Sequence, residues 1–186
     1  MLNQPLTDEL RLELLQPHHA ESLFRAVDEN RAHLRQWLPW VDGTRSPDDS
    51  LAFIRRTQKQ FGANEGFQTV LMVRGEVAGM IGHTGIRWER RATGLGYWLA
   101  EKHEGRGFMT RACRAYVDHA FGELGLNRVE IRAATGNGRS RAIPERLGFT
   151  LEGVPRDAEW LYDGFVDHAV YGLLAREWPG STPAAG

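Results

Sequence analysis

Gly105 and Gly107 stand one residue apart in the stretch E-G-R-G-F-M-T, residues 104–110. It lies between the apolar run G-L-G-Y-W-L-A and a segment whose apolar residues recur every three or four positions. A turn that only reversed the chain would not need two glycines, whereas a backbone that must come close to a ligand would. If the periodic segment is a helix, its first amides lack partners and its dipole turns its positive end toward the glycines, which makes an anion site. Backbone N–H groups from Arg106 through Phe108 and Met109 to Thr110 would hold the anion. A glycine-rich turn that binds nothing is the other reading. The dinucleotide fingerprint G-x-G-x-x-G fails, because Thr110 occupies the third glycine position and the preceding strands read as a meander instead of a βαβ unit.

Metal and thiol chemistry find little support. The single cysteine, Cys113, excludes an internal disulfide and a cysteine-based zinc cluster. Its helical neighbours Ala112, Tyr116, Val117 and Ala120 make it a small core residue more readily than a nucleophile. The seven histidines show no H-E-x-x-H spacing, so no metal site is assigned.

The elements that must position the loop can be read from periodicity. L-R-L-E-L-L-Q (10–16) alternates like a strand, and residues 17–38 carry helical spacing, read as two helices with Pro17 in a first turn. Ser46, Pro47 and two aspartates open a helix over 46–62. Residues 67–88 form two β-rich runs joined at Arg74-Gly75-Glu76, a hairpin signal, and 93–100 continues the meander. Ala112, Cys113, Tyr116, Val117, Ala120, Phe121 and Leu124 form one apolar stripe, so a helix runs from the glycine loop to about Gly125. A strand follows over 128–134, then a short helix over about 140–147 that stops at Gly148. Two strands near 149–161 and 165–175 end the domain, assigned to residues 1–178, with 179–186 as a disordered tail.

At 186 residues with 41% hydrophobic content the chain suits one domain with a core. The 23 basic and 24 acidic residues leave a net charge of −1, so there is no global field to attract nucleic acid, and any phosphate site must be local. No signal-peptide stretch and no apolar run of about 18 residues is present, which leads us to expect a cytoplasmic protein without membrane contact.

Strand, helices, three strands, helix, strand, helix and two strands is an order that resembles the GNAT acetyltransferase superfamily. L-G-Y-W-L-A-E-K-H-E-G-R-G-F-M-T-R-A resembles its acetyl-CoA motif, and N-G-R-S-R-A-I-P-E-R-L-G-F (137–149) resembles its second motif. The chain is most similar to the ribosomal-protein N-terminal acetyltransferase (RimJ/RimL-like) branch through L-R-L, W-L-P-W (37–40), and L-E-G (151–153) followed by Glu159. The likeness spans about residues 10 to 176. It implies a single α/β domain with a mixed, mostly antiparallel sheet of about seven strands flanked by helices, in which a splayed strand pair binds CoA.

The resemblance also implies roles. The amides around Gly105–Thr110 would hold the CoA pyrophosphate. Leu99 backbone groups would pair with the pantetheine arm and polarise the thioester carbonyl, and Asn137 would bond the pantetheine amides unless it only forms a turn. Glu159 would take the amine proton, directly or through water, and Ser140 would donate to the CoA sulfur. Capping a helix is the alternative for Ser140, and a solvated strand position the alternative for Glu159. Tyr97 and Tyr162 are back-up donors that read more readily as packing residues. Trp37 and Trp40 would wall the acceptor groove or pack on the sheet. Pro144 departs from the family pattern: a helix capped at Ser140 carries it in the first turn, whereas one starting at Asn137 is kinked, and the later start is favoured. The expected activity is acetyl transfer from acetyl-CoA to a protein N-terminal amine. The alternatives are a small amine, an amino-acid conjugate or an antibiotic as acceptor, or a non-catalytic CoA sensor. Homodimerisation is left open.

Overall fold

A computed structural model describes residues 3–179, so the proposed tail lies, from Gly180 onward, outside the described residues. Its strands are β1 (Gln4–Pro5), β2 (Leu10–Leu14), β3 (Gln68–Val73), β4 (Glu76–Arg87), β5 (Ala92–Leu99), β6 (Arg128–Ala134), β7 (Thr150–Gly153), β8 (Glu159–Leu161), β9 (Gly164–Val166) and β10 (His168–Leu174). Its α-helices are α1 (Ala20–Glu29), α2 (Arg31–Arg35), α3 (Pro47–Gly62), α4 (Phe108–Gly122) and α5 (Gly138–Arg146). Eight strands form one sheet in the order β1-β2-β3-β4-β5-β6-β10-β7, and β8 with β9 makes a separate hairpin.

Period-two alternation sends the side chains of each central strand to opposite faces. Leu71, Ile81 and Leu95 meet Phe108, Cys113, Tyr116 and Val117 of α4 on one face. Val70, Met80 and Trp98 meet Leu23, Val27 and Ile54 of α1 and α3 on the other. Burial raises the Cys113 thiol far above its ordinary value, so it is an inert core group. The Ser46 side chain caps α3 by accepting from the Asp49 amide, with Pro47 in the first turn, as the sequence suggested.

One junction shapes the site. Neighbouring strands of the sheet are antiparallel except β5 and β6, which are parallel and pair only from Ala92 opposite Arg128 to Leu95 opposite Ile131. A parallel pair needs a crossover, and α4 supplies it. Past Leu95, β5 stays with β4 as far as Leu99 opposite Gly79. Past Ile131, β6 stays with β10 as far as Ala134 opposite His168. Each strand keeps its outer partner, so the sheet opens between them.

Two expectations are corrected. The sheet, expected with about seven strands, has eight, but the two late runs divide into β7, β8, β9 and β10 because Pro155 and the Tyr162-Asp163 turn break the ladder. The later start of α5 is overturned: Asn137 caps it, its Oδ1 accepting from the Ser140 amide at 3.1 Å, so Ser140 is not the cap. Pro144 therefore lies inside α5, where a proline removes a hydrogen bond and its ring pushes away the carbonyl four residues earlier.

Candidate active site

The gap between β5 and β6 opens into a cleft of about 1780 Å³ lined by Leu99, Gly105, Gly107, Met109, Thr110, Asn137 and Ser140, among others. Pockets for one small ligand hold roughly 300–1,000 Å³, so this is space for a long ligand and a second reactant.

One lip is the glycine turn. Gly105 and Gly107 both have φ of 73°, and Gly107 precedes the first residue of α4, Phe108. Side chains rarely adopt that conformation, which accounts for the glycines locally. No atom stands within 4 Å of where a side-chain carbon would sit on either, so the turn presents bare backbone to open space. The Phe108 side chain is buried beneath it, and Met109 is buried beside it. The Arg106 guanidinium turns away, pairing with Glu9 at 2.7 Å and covering the Phe108 ring at 4.5 Å, so Arg106 offers the cleft only its backbone. Lys102 pairs with Glu76 at 3.0 Å.

The other lip is the start of α5. Asn137 spends its side-chain oxygen on the helix cap, which leaves its amide nitrogen to donate. Ser140 stands in the first turn with its Oγ 3.3 Å from the hydroxyl of Tyr97, which reaches across from the splayed end of β5. That hydroxyl also donates to the Ser140 carbonyl at 3.2 Å. Burial raises the Tyr97 phenol well above its ordinary value, so it remains a donor. On its far side α5 is tied to β10, with Arg141 Nε donating to the Tyr171 hydroxyl at 3.0 Å and that hydroxyl donating to Glu145 at 2.7 Å. A third contact joins the two lips directly. Glu104, just before Gly105, accepts from Arg139 of α5 and lies 3.0 Å from His33 Nε2 of α2.

The residues expected to face an acceptor are less converged. Trp37 lines the cleft, its ring edge 3.6 Å from where a side chain on Gly136 would begin. Trp40 instead lies against Trp98, ring centres 6.4 Å apart, and does not line the cleft. Glu159 is not in the lining either. Its Oε2 is 3.3 Å from Nε2 of His168, the first residue of β10 and the partner of Ala134 at the end of β6. The hairpin that carries Glu159 is anchored at its turn, where Tyr162 donates to the Leu38 carbonyl at 2.7 Å and Arg35 stacks 3.8 Å above the Tyr162 ring. Neither His168 nor the Glu104–Arg139 pair was found from sequence, since the partners come from separate elements. Tyr97 left a signal: a proline inside a helix frees the carbonyl of residue 140, and a buried carbonyl needs a donor.

An amide-lined turn, a parted strand pair and hydroxyl donors across one cleft suit binding of a long phosphorylated thioester. Residues 9–150 match the acetyltransferase (GNAT) domain family, and the chain belongs to that family as an N-acetyltransferase. A Bacillus subtilis (strain 168) protein, YdaF, provisionally named a ribosomal N-acetyltransferase, is 36% identical over 181 residues, 97% of this chain and 99% of its own. Among solved structures, the ribosomal L7/L12 α-N-protein acetyltransferase RimL in complex with coenzyme A has a TM-score of 0.89 at 26% identity, covering 92% of this chain and 97% of that one. The microcin C7 self-immunity acetyltransferase MccE, in complex with acetyl-CoA and AMP, has a TM-score of 0.85 at 25% identity, covering 91% of this chain and 94% of that one. Among the described residues no group of three or more His, Cys, Asp or Glu is placed to hold a metal, and no helix is long and apolar enough to cross a membrane.

Proposed function

We propose that this chain binds acetyl-CoA along the cleft and transfers its acetyl group directly to the N-terminal α-amine of a protein, ribosomal proteins first among them. The observation that carries the reading is the single cleft that joins the Gly105–Thr110 turn to the gap between β5 and β6. The amides at the start of α4 would hold the pyrophosphate. The free edge of β5 through Leu99, with the amide nitrogen of Asn137, would hold the pantetheine and polarise the carbonyl. The amine nitrogen forms the new C–N bond, and the C–S bond breaks with its electron pair on sulfur. Ser140 stabilises that sulfur by donating a hydrogen bond. Glu159, held by His168, takes one amine proton through an intervening water. Trp37 walls the acceptor entrance, and Trp40 backs the same wall from Trp98. A ribosomal acceptor would make the reaction cytoplasmic.

Proton energetics favour an α-amine. With a pKa near 8 it is about 10% neutral at pH 7, whereas a lysine near 10.4 is only about 0.04% neutral, a difference of about 3 kcal/mol that one carboxylate need not overcome. The likeness to MccE supports a second reading, a small amine conjugate as acceptor. Peptides with the first residues of ribosomal proteins, incubated with acetyl-CoA and read by mass spectrometry, separate the two. Acetylation at the first nitrogen, stopped by blocking that nitrogen, is expected. Equal modification of lysines in blocked peptides, or turnover of small amines alone, overturns the N-terminal reading. Binding of acetyl-CoA without turnover of any amine would make the chain a sensor.

A further inference from the structure

We propose that Tyr97 is the positioning residue for Ser140, and that Pro144 is what makes it necessary. The inference rests on the reading that Ser140 donates to the thioester sulfur. In a regular helix the Ser140 carbonyl would accept from the amide of residue 144. Proline has no such amide, and its ring drives the carbonyl outward. The displaced carbonyl receives the Tyr97 hydroxyl at 3.2 Å instead, and Ser140 Oγ lies 3.3 Å from the same oxygen. Tyr97 thus donates to the carbonyl while its oxygen accepts from Oγ, and both distances exceed the roughly 2.7–2.8 Å of a good O–H···O bond, so neither hydroxyl is locked.

Tyr97 therefore fixes the carbonyl and the hydroxyl of residue 140 together. With the Tyr97 proton on the carbonyl, Ser140 points its own proton at the phenol oxygen. As negative charge develops on sulfur, that proton turns from the phenol oxygen toward it, while Tyr97 still holds the carbonyl. The backbone on either side does not move, because Arg141, Tyr171 and Glu145 tie α5 to β10 and β4 holds β5. Tyr97 keeps its proton throughout, so no proton is transferred along the pair.

The test is a set of kinetic cycles with acetyl-CoA and the best peptide acceptor. Tyr97→Phe should lower kcat about 10-fold with KM for acetyl-CoA changed less than about 3-fold. In a Pro144→Ala background, where an amide again serves the carbonyl, the same change should cost at least about 3-fold less. After Ser140→Ala it should cost nothing further, as a residue that acts only through Ser140 must behave. A Tyr97→Phe loss that is the same with and without Pro144→Ala, or that multiplies with the Ser140→Ala loss, overturns the proposal. Ser140→Ala with wild-type kcat overturns the underlying reading instead. If Tyr97→Phe does not fold, hydrogen exchange in Pro144→Ala decides. Protection of the backbone amide which that substitution introduces supports the vacant-carbonyl account, and exchange like that of an exposed loop amide refutes it.

Discussion

At the residue scale, Glu159 and His168 separate a chemical role from a structural one. Their contact joins the β8–β9 hairpin to the main sheet, so truncating either group loosens the hairpin, but only Glu159 is asked to accept a proton. Glu159→Gln keeps the size and the partner. Its kcat/KM should fall by on the order of 10²-fold, with part of the loss recovered at high pH where the amine deprotonates unaided, while calorimetric acetyl-CoA affinity holds. His168→Ala leaves the carboxylate but frees its orientation, so its loss should be smaller and confined to kcat. Wild-type activity of Glu159→Gln at pH 7 would remove Glu159 from the mechanism and leave the His168 contact as a hairpin fastening.

At the scale of elements, the turn before α4 carries two requirements that substitution can tell apart. The φ of 73° at Gly107 penalises any side chain, by about 1–2 kcal/mol, whether or not anything binds. The open space around it means that an added methyl group meets no protein atom. Gly107→Ala should therefore lower the thermal midpoint and weaken acetyl-CoA only moderately. Gly107→Glu should cost similar stability yet abolish binding, because it adds bulk and negative charge where we propose the pyrophosphate is held. Calorimetric affinity unchanged from wild type in Gly107→Glu would show that the turn is built for the chain's own path and not for an anion.

At the scale of the whole molecule, stability should depend on buried imidazoles. His83 is fully buried, with Nδ1 3.1 Å from Thr93 Oγ1 and Nε2 without a partner among the described residues. Burial, aided by the nearby His119, pushes its pKa down to about 3. Burial also lowers His19, His103 and His119. Unfolding lets each return to about 6.5 and bind a proton, so the stabilisation is complete above that pH and is lost as pH falls toward the native values, by up to about 1.4 kcal/mol per pH unit per group. Carboxylates held low, such as Glu152 through its bond from Arg128, contribute in the same direction only below about pH 4.5. The thermal midpoint should therefore drop between pH 7 and 5 at constant ionic strength, and less steeply in His83→Gln. A flat profile, or equal slopes in both proteins, counts against it.

Local chemistry made the glycine turn, the α4 stripe, the Ser46 cap and the β3–β4 hairpin legible in the sequence, because each depends on neighbours within a few residues. The same locality made the order of elements readable, and with it the family. What lay beyond reach involved choices between partners far apart in the chain. Ser140 and Asn137 can each cap a helix, and the fold chose Asn137, which moved Pro144 into the helix interior. The freed carbonyl then found Tyr97, distant in sequence but adjacent once β5 parts from β6. Glu159 was nameable as a residue type, yet its pairing with His168 follows from a hairpin and a strand that meet only in three dimensions. Sequence determined which groups could do the chemistry; tertiary structure decided which of them face one another, because that depends on which strand edges stay paired.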